Sequence, residues 1–199
     1  MDRKDFQIIS KWIKTNSSVL DLGCGDSTLL DFLIKNKKIS GYGFEKNIDE
    51  VQESLKKNIN VIQLDFNKGL VEYFSENFFD YAIMTQALQE NKNPDKILLE
   101  MLRIAKEGIV TFPNMGFWKN RFQLGLLGRM PISKSLPNNW FDTPNIHLCT
   151  FNDFEELCRN LDISILDKKV LNNKYASNFL LKIFPNLFGE IALYRFKKD

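Results

Sequence analysis

Apolar positions in this chain follow two alternating rhythms. Short apolar runs alternate with stretches whose apolar residues fall three and four apart, the signatures of strand and helix respectively. Phe6, Ile9 and Ile13, with Trp12 beside them, predict a helix over 4–14. Val19, Leu20 and Leu22 predict a first strand that carries one inward-facing acid, Asp21, and ends at Gly23 and Gly25. Leu29, Leu30, Phe32 and Leu33 then mark a helix. Ile39–Glu45 reads as a second strand, Ile48, Val51 and Leu55 as a helix face, Asn60–Leu64 as a third strand before Asp65, and Phe79–Thr85 as a fourth. Asn93-Pro94-Asp95 places an N-cap, a first-position proline and an acid ahead of the face Ile97, Leu98, Met101, Leu102 and Ala105. Ile109–Phe112 reads as a fifth strand.

The rhythm breaks at Pro113. Four of the six prolines fall between Pro113 and Pro144, among Phe117, Trp118, Phe122, Trp140 and Phe141, with one helix predicted over Trp118–Leu127. It resumes where Thr150 and Asp153 have capping-box spacing ahead of Phe151, Phe154, Leu157, Cys158 and Leu161. Ile163–Leu171 and Ile191–Phe196 follow as two final strands. Regular alternation predicts an α/β fold: a seven-stranded, mostly parallel sheet with helices on both faces and an ordered insertion after the fifth strand.

At 199 residues the chain is expected to form a single domain, 1–199, with residues 113–149 as a loop-rich aromatic and proline insertion. A net charge of +2, with lysines spread over helix ends and loops (Lys35, Lys37, Lys38, Lys56, Lys57), argues against a nucleic-acid surface. Cys24, Cys149 and Cys158 have no metal-binding spacing, and His147 stands alone, so no metal site is expected. No apolar run approaches the roughly eighteen residues that span a bilayer, and the first residues lack a signal peptide's apolar core. With sparse thiols, this predicts a cytoplasmic protein without membrane contact.

Strand, glycine turn and helix over residues 19–33 form a nucleotide-type pocket at the carboxyl end of a first strand. The unpaired N–H groups of the helix N-terminus would face the ligand. A dinucleotide fingerprint requires a third glycine where this chain has Thr28, and Asp21, two residues before the first glycine, would repel a pyrophosphate. A cationic or donor-rich ligand suits it better. Asp21-x-Gly23-Cys24-Gly25 resembles the first motif of class I S-adenosylmethionine-dependent methyltransferases. That resemblance implies a Rossmann-like methyltransferase fold and S-adenosylmethionine or S-adenosylhomocysteine as ligand; a dinucleotide site and a bare structural turn stand as alternatives. The family usually has another small residue, often glycine, at the position of Ser27, which predicts slightly altered packing there.

Glu45 closes the second strand where a carboxylate can accept hydrogen bonds from both ribose hydroxyls; otherwise it is a solvated strand-end acid. The methyltransferase resemblance implies that Asp65 accepts from an adenine amino group and that Phe66 offers its N–H or packs on the ring; a turn or helix cap is the other reading of Asp65. Gln86 follows the fourth strand, where it would steady the ligand or line a substrate pocket. Catalytic residues are unassigned. Met84-Thr85-Gln86-Ala87-Leu88 lacks the Asn/Asp-Pro-Pro-aromatic amine clamp, no Pro-Cys nucleophile is present, and His147 reads as a structural hydrogen-bonder.

Phe112-Pro113-Asn114-Met115-Gly116-Phe117-Trp118, Gly128-Arg129-Met130-Pro131 and Trp140-Phe141-Asp142-Thr143-Pro144-Asn145-Ile146-His147-Leu148-Cys149-Thr150 resemble the methionine-biosynthesis MetW family, as does Thr85-Gln86-Ala87-Leu88-Gln89. Glu90 departs from that family's pattern. The resemblance implies a methyltransferase-like subunit that supports homoserine O-acyltransferase, acetyl or succinyl, with an active methyltransferase on a small molecule or protein as the alternative. Trp118, Arg121, Arg129 and Trp140 are the expected partner-binding residues, since large aromatics and arginine favour interface centres. As a lid, residues 113–149 would instead point to a substrate pocket, and as plain core to neither; a homo-oligomer is a separate expectation.

Overall fold

The computed structural model describes residues 3–65, 74–172, 181 and 183–199. Within them the elements run α1 (Lys4–Trp12), β1 (Ser18–Leu22), α2 (Thr28–Lys37), β2 (Ser40–Glu45), α3 (Ile48–Lys56), β3 (Asn60–Gln63) and β4 (Phe79–Thr85). A 3-10 turn (Leu88–Glu90), α4 (Pro94–Ile104), β5 (Ala105–Pro113), α5 (Trp118–Gly125), α6 (Phe151–Asn160) and β6 (Ile163–Leu171) follow. A helical turn (Pro185–Phe188) leads into β7 (Ile191–Lys198). The described strands form one seven-stranded sheet in the order β3-β2-β1-β4-β5-β7-β6. β1 to β5 are mutually parallel, and β7 inserts antiparallel between β5 and β6. The expected α/β architecture is the observed one.

The period of two along β1 divides the core. Leu20 and Leu22 face a layer built from α4 and α6, with Phe44, Leu98, Met101, Phe112 and Phe154. Val19 faces the opposite layer, where Phe6, Ile9 and Ile13 of the α1 segment meet Leu29, Leu30 and Leu33 of α2. Asp21 shares the register of Val19, so its carboxyl group points into the α1/α2 side. Strand order reverses between β1 and β4, and a cleft opens beyond the carboxyl ends of the strands at such a point.

Several boundaries differ from expectation, each for a local reason. Ala105 is not on the α4 face: it is extended, buried and paired with Phe79, so helix passes into strand with no polar residue to mark the change. Asn93 occupies the N-cap position but makes no side-chain cap bond, leaving Pro94 to start α4. α5 stops at Gly125 rather than Leu127, because Leu126 and Leu127 are exposed and Gly128 turns left-handed at φ 59°. β3 ends one residue early, at Gln63. The Thr150 capping box is present in both directions, with Thr150 N–H donating to Asp153 at 2.8 Å and Asp153 N–H to Thr150 at 3.4 Å.

The insertion is ordered from its start, where Asn114 follows the last residue of β5. Asn114 is fully buried; its side-chain amide donates to the carbonyls of Asn186 and Gly189, both at 2.9 Å, and its Oδ1 accepts from Gly116 N–H at 2.9 Å. Its far end is held where Ile146 and His147 N–H groups donate to the Gln89 carbonyl at 2.8 and 3.0 Å.

Gly43, opposite Asp21 in the β1–β2 pairing, leaves the space that Cys24 occupies: a Cβ there would meet the Cys24 Sγ at 2.5 Å and Val61 at 3.2 Å. Gly43→Ala should therefore lower unfolding stability by about 1–3 kcal/mol, the range for overpacking. Cys24→Ala in the same chain should recover part of the loss in chemical denaturation. Equal losses with and without Cys24→Ala would show that this contact is not the cause.

Candidate functional site

At the end of β1 the chain leaves a carboxyl group with nothing to bind. Asp21 sits in the interior of the sheet, paired with Gly43 on one side and Ile83 on the other, and is 1% exposed. Among the described residues, neither of its oxygens has a hydrogen-bond partner. Burial, and then the nearby charge of Glu45, push its pKa up to about 7. A buried carboxyl without partners is costly, and a cation or a set of donors placed against it would relieve that cost.

The turn above it is held by β2. Gly23 and Cys24 N–H groups both donate to the Phe44 carbonyl, at 2.8 and 3.1 Å. The Glu45 carboxylate accepts from Gly25 N–H at 3.0 Å and from Lys46 and Asn47 N–H at 2.8 and 2.9 Å. Gly23 and Gly25 have φ of 74° and 53°, which is why glycine stands at both. Ser27 is left-handed too, at φ 58°, and this conformation is the reason a glycine would be at home there. The serine is accommodated by a buried hydroxyl pair with Ser54 of α3 at 2.7 Å.

The helix N-terminus departs from expectation. Thr28 N–H is not free for a ligand; Asp26 caps it at 3.1 Å and is itself paired with Lys57 at 2.7 Å. An anion therefore already stands where a dinucleotide's pyrophosphate would sit. A cavity of about 480 Å3 opens alongside, lined by Gly23, Cys24, Gly25 and Asp26, by Thr85 and Gln86 of the β4 end, and by Arg3, Asp5, Lys134, Ser135 and Ile191.

Of the expected ligand residues, the fold brings Gly23, Cys24, Gly25 and Gln86 onto this cavity. Asp21 lies beneath the turn and Glu45 behind it. Cys24 contributes backbone only: its side chain covers Gly43, and burial, then the Asp21 charge, push its thiol up to about 12. Gln86 is exposed with a left-handed φ of 53° and donates its N–H to Thr111, through the carbonyl at 2.8 Å and the hydroxyl at 3.1 Å. Asp65 follows β3 and does not line this cavity; Phe66 lies outside the described residues. Sequence reasoning missed Ser54, Lys57, Thr85 and Lys134, whose neighbours here come from distant segments.

Burial also holds the Cys149 and Cys158 thiols up to about 12, so none of the three cysteines is a thiolate near neutrality. His147 is exposed, and its ring nitrogen lies 3.3 Å from the Lys92 carbonyl. On the insertion, Trp140 and Phe141 are 73% and 70% exposed with their rings edge to face, and Trp118 is 44% exposed. Arg129 is exposed, while Arg121 uses its Nε to hold the Gly116 carbonyl at 2.6 Å.

Residues 3–196 match the family model described as methionine biosynthesis protein MetW. The chain belongs to the MetW family. A curated relative, the bifunctional methionine biosynthesis protein MetXA/MetW of Rhodopirellula baltica, is 28% identical over 98% of this chain. The chain spans about a third (33%) of that relative's length. Among solved structures, an S-adenosylmethionine-dependent methyltransferase from Mesorhizobium loti superposes with a TM-score of 0.71 at 11% identity, covering 99% of both chains. The cyclase SpnF superposes at 0.68 and 16% identity, over 98% of this chain and 80% of its own. The fold of this MetW-family chain is thus that of class I methyltransferases, and a cyclase among the neighbours shows that the fold alone does not name a reaction. Among the described residues no helix is long and apolar enough to cross a membrane.

The position of Asp21 in this MetW fold sets a pH dependence. Unfolded, the group ionises near its ordinary 3.8; folded, it keeps its proton to about 7. The folded state binds the extra proton between those values, so Asp21 makes stability fall as pH rises through that window and level off above it. Asp21→Asn should remove this decline and leave the variant more stable than wild type near pH 8 by a few kcal/mol. Denaturation midpoints measured from about pH 4 to 9 check this; parallel profiles for the two proteins would contradict it.

Proposed function

We propose that this MetW-family chain binds S-adenosylmethionine or S-adenosylhomocysteine and acts as a subunit supporting homoserine O-acyltransferase in methionine biosynthesis. The observation that carries the ligand half is Asp21, a fully buried carboxyl group with no partner among the described residues, under a glycine turn. It fits the ammonium and sulfonium character of this ligand. Asp26 at the α2 N-terminus disfavours a pyrophosphate. Glu45, held at the β2 end by three backbone N–H groups, has a lone pair left for a ribose hydroxyl, since a carboxylate offers about four acceptor positions. Asp65 and Phe66 would complete the adenine side, and Gln86 the amino-acid side.

The partner half is supported by the relative that joins MetXA and MetW in one bifunctional chain. A linker that keeps two modules together raises their effective concentration, so a weak contact between them suffices. The surface best suited to that contact is the insertion. Trp118, Phe122, Trp140 and Phe141 are large exposed aromatics, and Arg129 is exposed on the same insertion, residue types typical of interface hot spots. The second reading, methyl transfer to a small molecule or protein, is favoured by the cavity reaching Thr85 and Gln86. Among the described residues that line it there is no histidine, Asp26 is paired with Lys57 and the Cys24 thiol is pushed up to about 12, so the accessory role is preferred.

Titration calorimetry should show binding of S-adenosylmethionine and S-adenosylhomocysteine and none of a nicotinamide dinucleotide. Glu45→Ala should weaken both by about 1.5–3 kcal/mol, the value of a hydrogen bond to a charged group. Folded protein that binds neither nucleoside would end the ligand half of the proposal.

Co-purification with the homoserine O-acyltransferase of the same organism, and the acyl-transfer rate with and without this chain, test the partner half. Trp140→Ala, at an exposed position that leaves the fold intact, should weaken association by at least about 2 kcal/mol. No association by wild type, and no change in rate, would refute it. A labelled-methyl assay giving stoichiometric transfer to any acceptor would establish the second reading instead.

A further inference from the structure

The cavity beside the glycine turn is completed by residues that no strand supplies. Lys134 and Ser135 belong to the insertion, yet they line it together with Gly23, Gly25 and Gln86. The other charged residues that line it, Arg3, Asp5 and Asp26, are already paired. Arg3 donates to both Asp5 oxygens, at 3.2 and 2.5 Å, and its guanidinium lies 4.0 Å from the centre of the Phe6 ring. Asp26 holds Lys57. Lys134 remains: it is exposed, and among the described residues its ammonium has no ion-pair or hydrogen-bond partner.

Two residues behind Gly23 lies the other unpartnered charge-bearing group, the Asp21 carboxyl. The site therefore offers an acid with no partner under its floor and a cation with no partner on its wall. A purely cationic ligand would answer the first and leave the second; an anion would do the reverse. A zwitterion, with ammonium and carboxylate on the same carbon, answers both. Salt-bridging hydrogen bonds of this kind are about twice as strong as neutral ones and depend on where the charges sit.

We propose that Lys134 recognises the carboxylate of an α-amino-acid group, so that the insertion completes the ligand site that the sheet edge begins. The inference rests on the reading that the ligand is S-adenosylmethionine or S-adenosylhomocysteine, and it assigns the amino-acid end of that ligand to the cavity that Lys134 lines. Ser135, whose hydroxyl lies 3.2 Å from that of Ser133, and the exposed Gln86 line the same cavity. Lys134 is a specificity-determining residue in this account, because a ligand stripped of its amino-acid end has nothing to offer it.

The test compares two probes on the full chain by calorimetry: S-adenosylhomocysteine, and 5′-methylthioadenosine, which keeps the nucleoside but has neither ammonium nor carboxylate. Lys134→Ala should weaken S-adenosylhomocysteine about tenfold or more, Lys134→Glu further, and Lys134→Arg only slightly, while none of them changes the affinity for methylthioadenosine. Circular dichroism and melting of each variant should match wild type, as expected for an exposed side chain. If Lys134→Ala binds S-adenosylhomocysteine as wild type does, the inference is wrong and the ligand reading stands. Equal losses on both probes would also overturn it, since Lys134 would then act on the nucleoside or the fold. Wild type that binds neither probe overturns the inference and the ligand reading together.

Discussion

The end of β2 is the constraint on which the site depends. One carbonyl, that of Phe44, and one carboxylate, that of Glu45, accept five backbone N–H groups between them, three from the glycine turn and two from the start of the following loop. The β1–β2 pairing thereby continues past the last residue of β1 into a segment that has no ladder of its own. With the turn held this way, Asp21 cannot swing out to water, and the left-handed backbone at Gly23, Gly25 and Ser27 is over-determined by its neighbours. Charge placement follows from this anchoring: the acid stays unpartnered because the backbone around it is already fully engaged.

That arrangement separates two kinds of information in the molecule. The sheet and its two core layers make a methyltransferase-type scaffold, and structures at 11% to 16% identity share it. The chemistry belongs to what is attached at the carboxyl edge: an uncompensated acid, an α2 N-terminus already capped by Asp26, and an insertion that reaches back to line the cavity. The insertion is fixed at both ends by buried or backbone polar contacts while it leaves Trp140 and Phe141 in solvent. Exposed aromatics on a well-anchored segment lose little further entropy on binding, which suits a docking surface.

What could be read from the residues was what local pattern controls. The strand–turn–helix around Asp21, the capping box at Thr150 and the alternation that makes the sheet parallel are all encoded within a few positions of one another. The residues that reasoning missed are those whose meaning depends on a partner far along the chain. Ser27 looked like a small packing change; it is a left-handed residue made tolerable by Ser54, and nothing near either serine announces the other. Asn114 stood inside a family motif, but its role comes from carbonyls 72 and 75 positions away. Ala105 continued a helical pattern, because apolar periodicity does not change where α4 runs directly into β5. Asn93 had the right residue type for a cap and the wrong backbone angles to use it.

The unpartnered acid also makes the site a store for one proton. Below a pH of about 7 the Asp21 carboxyl is neutral, and a cation that settles against it favours the charged form. Loading the site is then an exchange, one cation in and one proton out, so the measured heat of binding includes the ionisation of whatever buffer accepts that proton. Affinity for a cation would climb as the medium becomes less acid and stop climbing once Asp21 has already lost its proton. A neutral molecule of the same shape would displace nothing and bind without regard to pH. Without a partner among the described residues, this one carboxyl group lets the cavity distinguish ligands by charge before it distinguishes them by form.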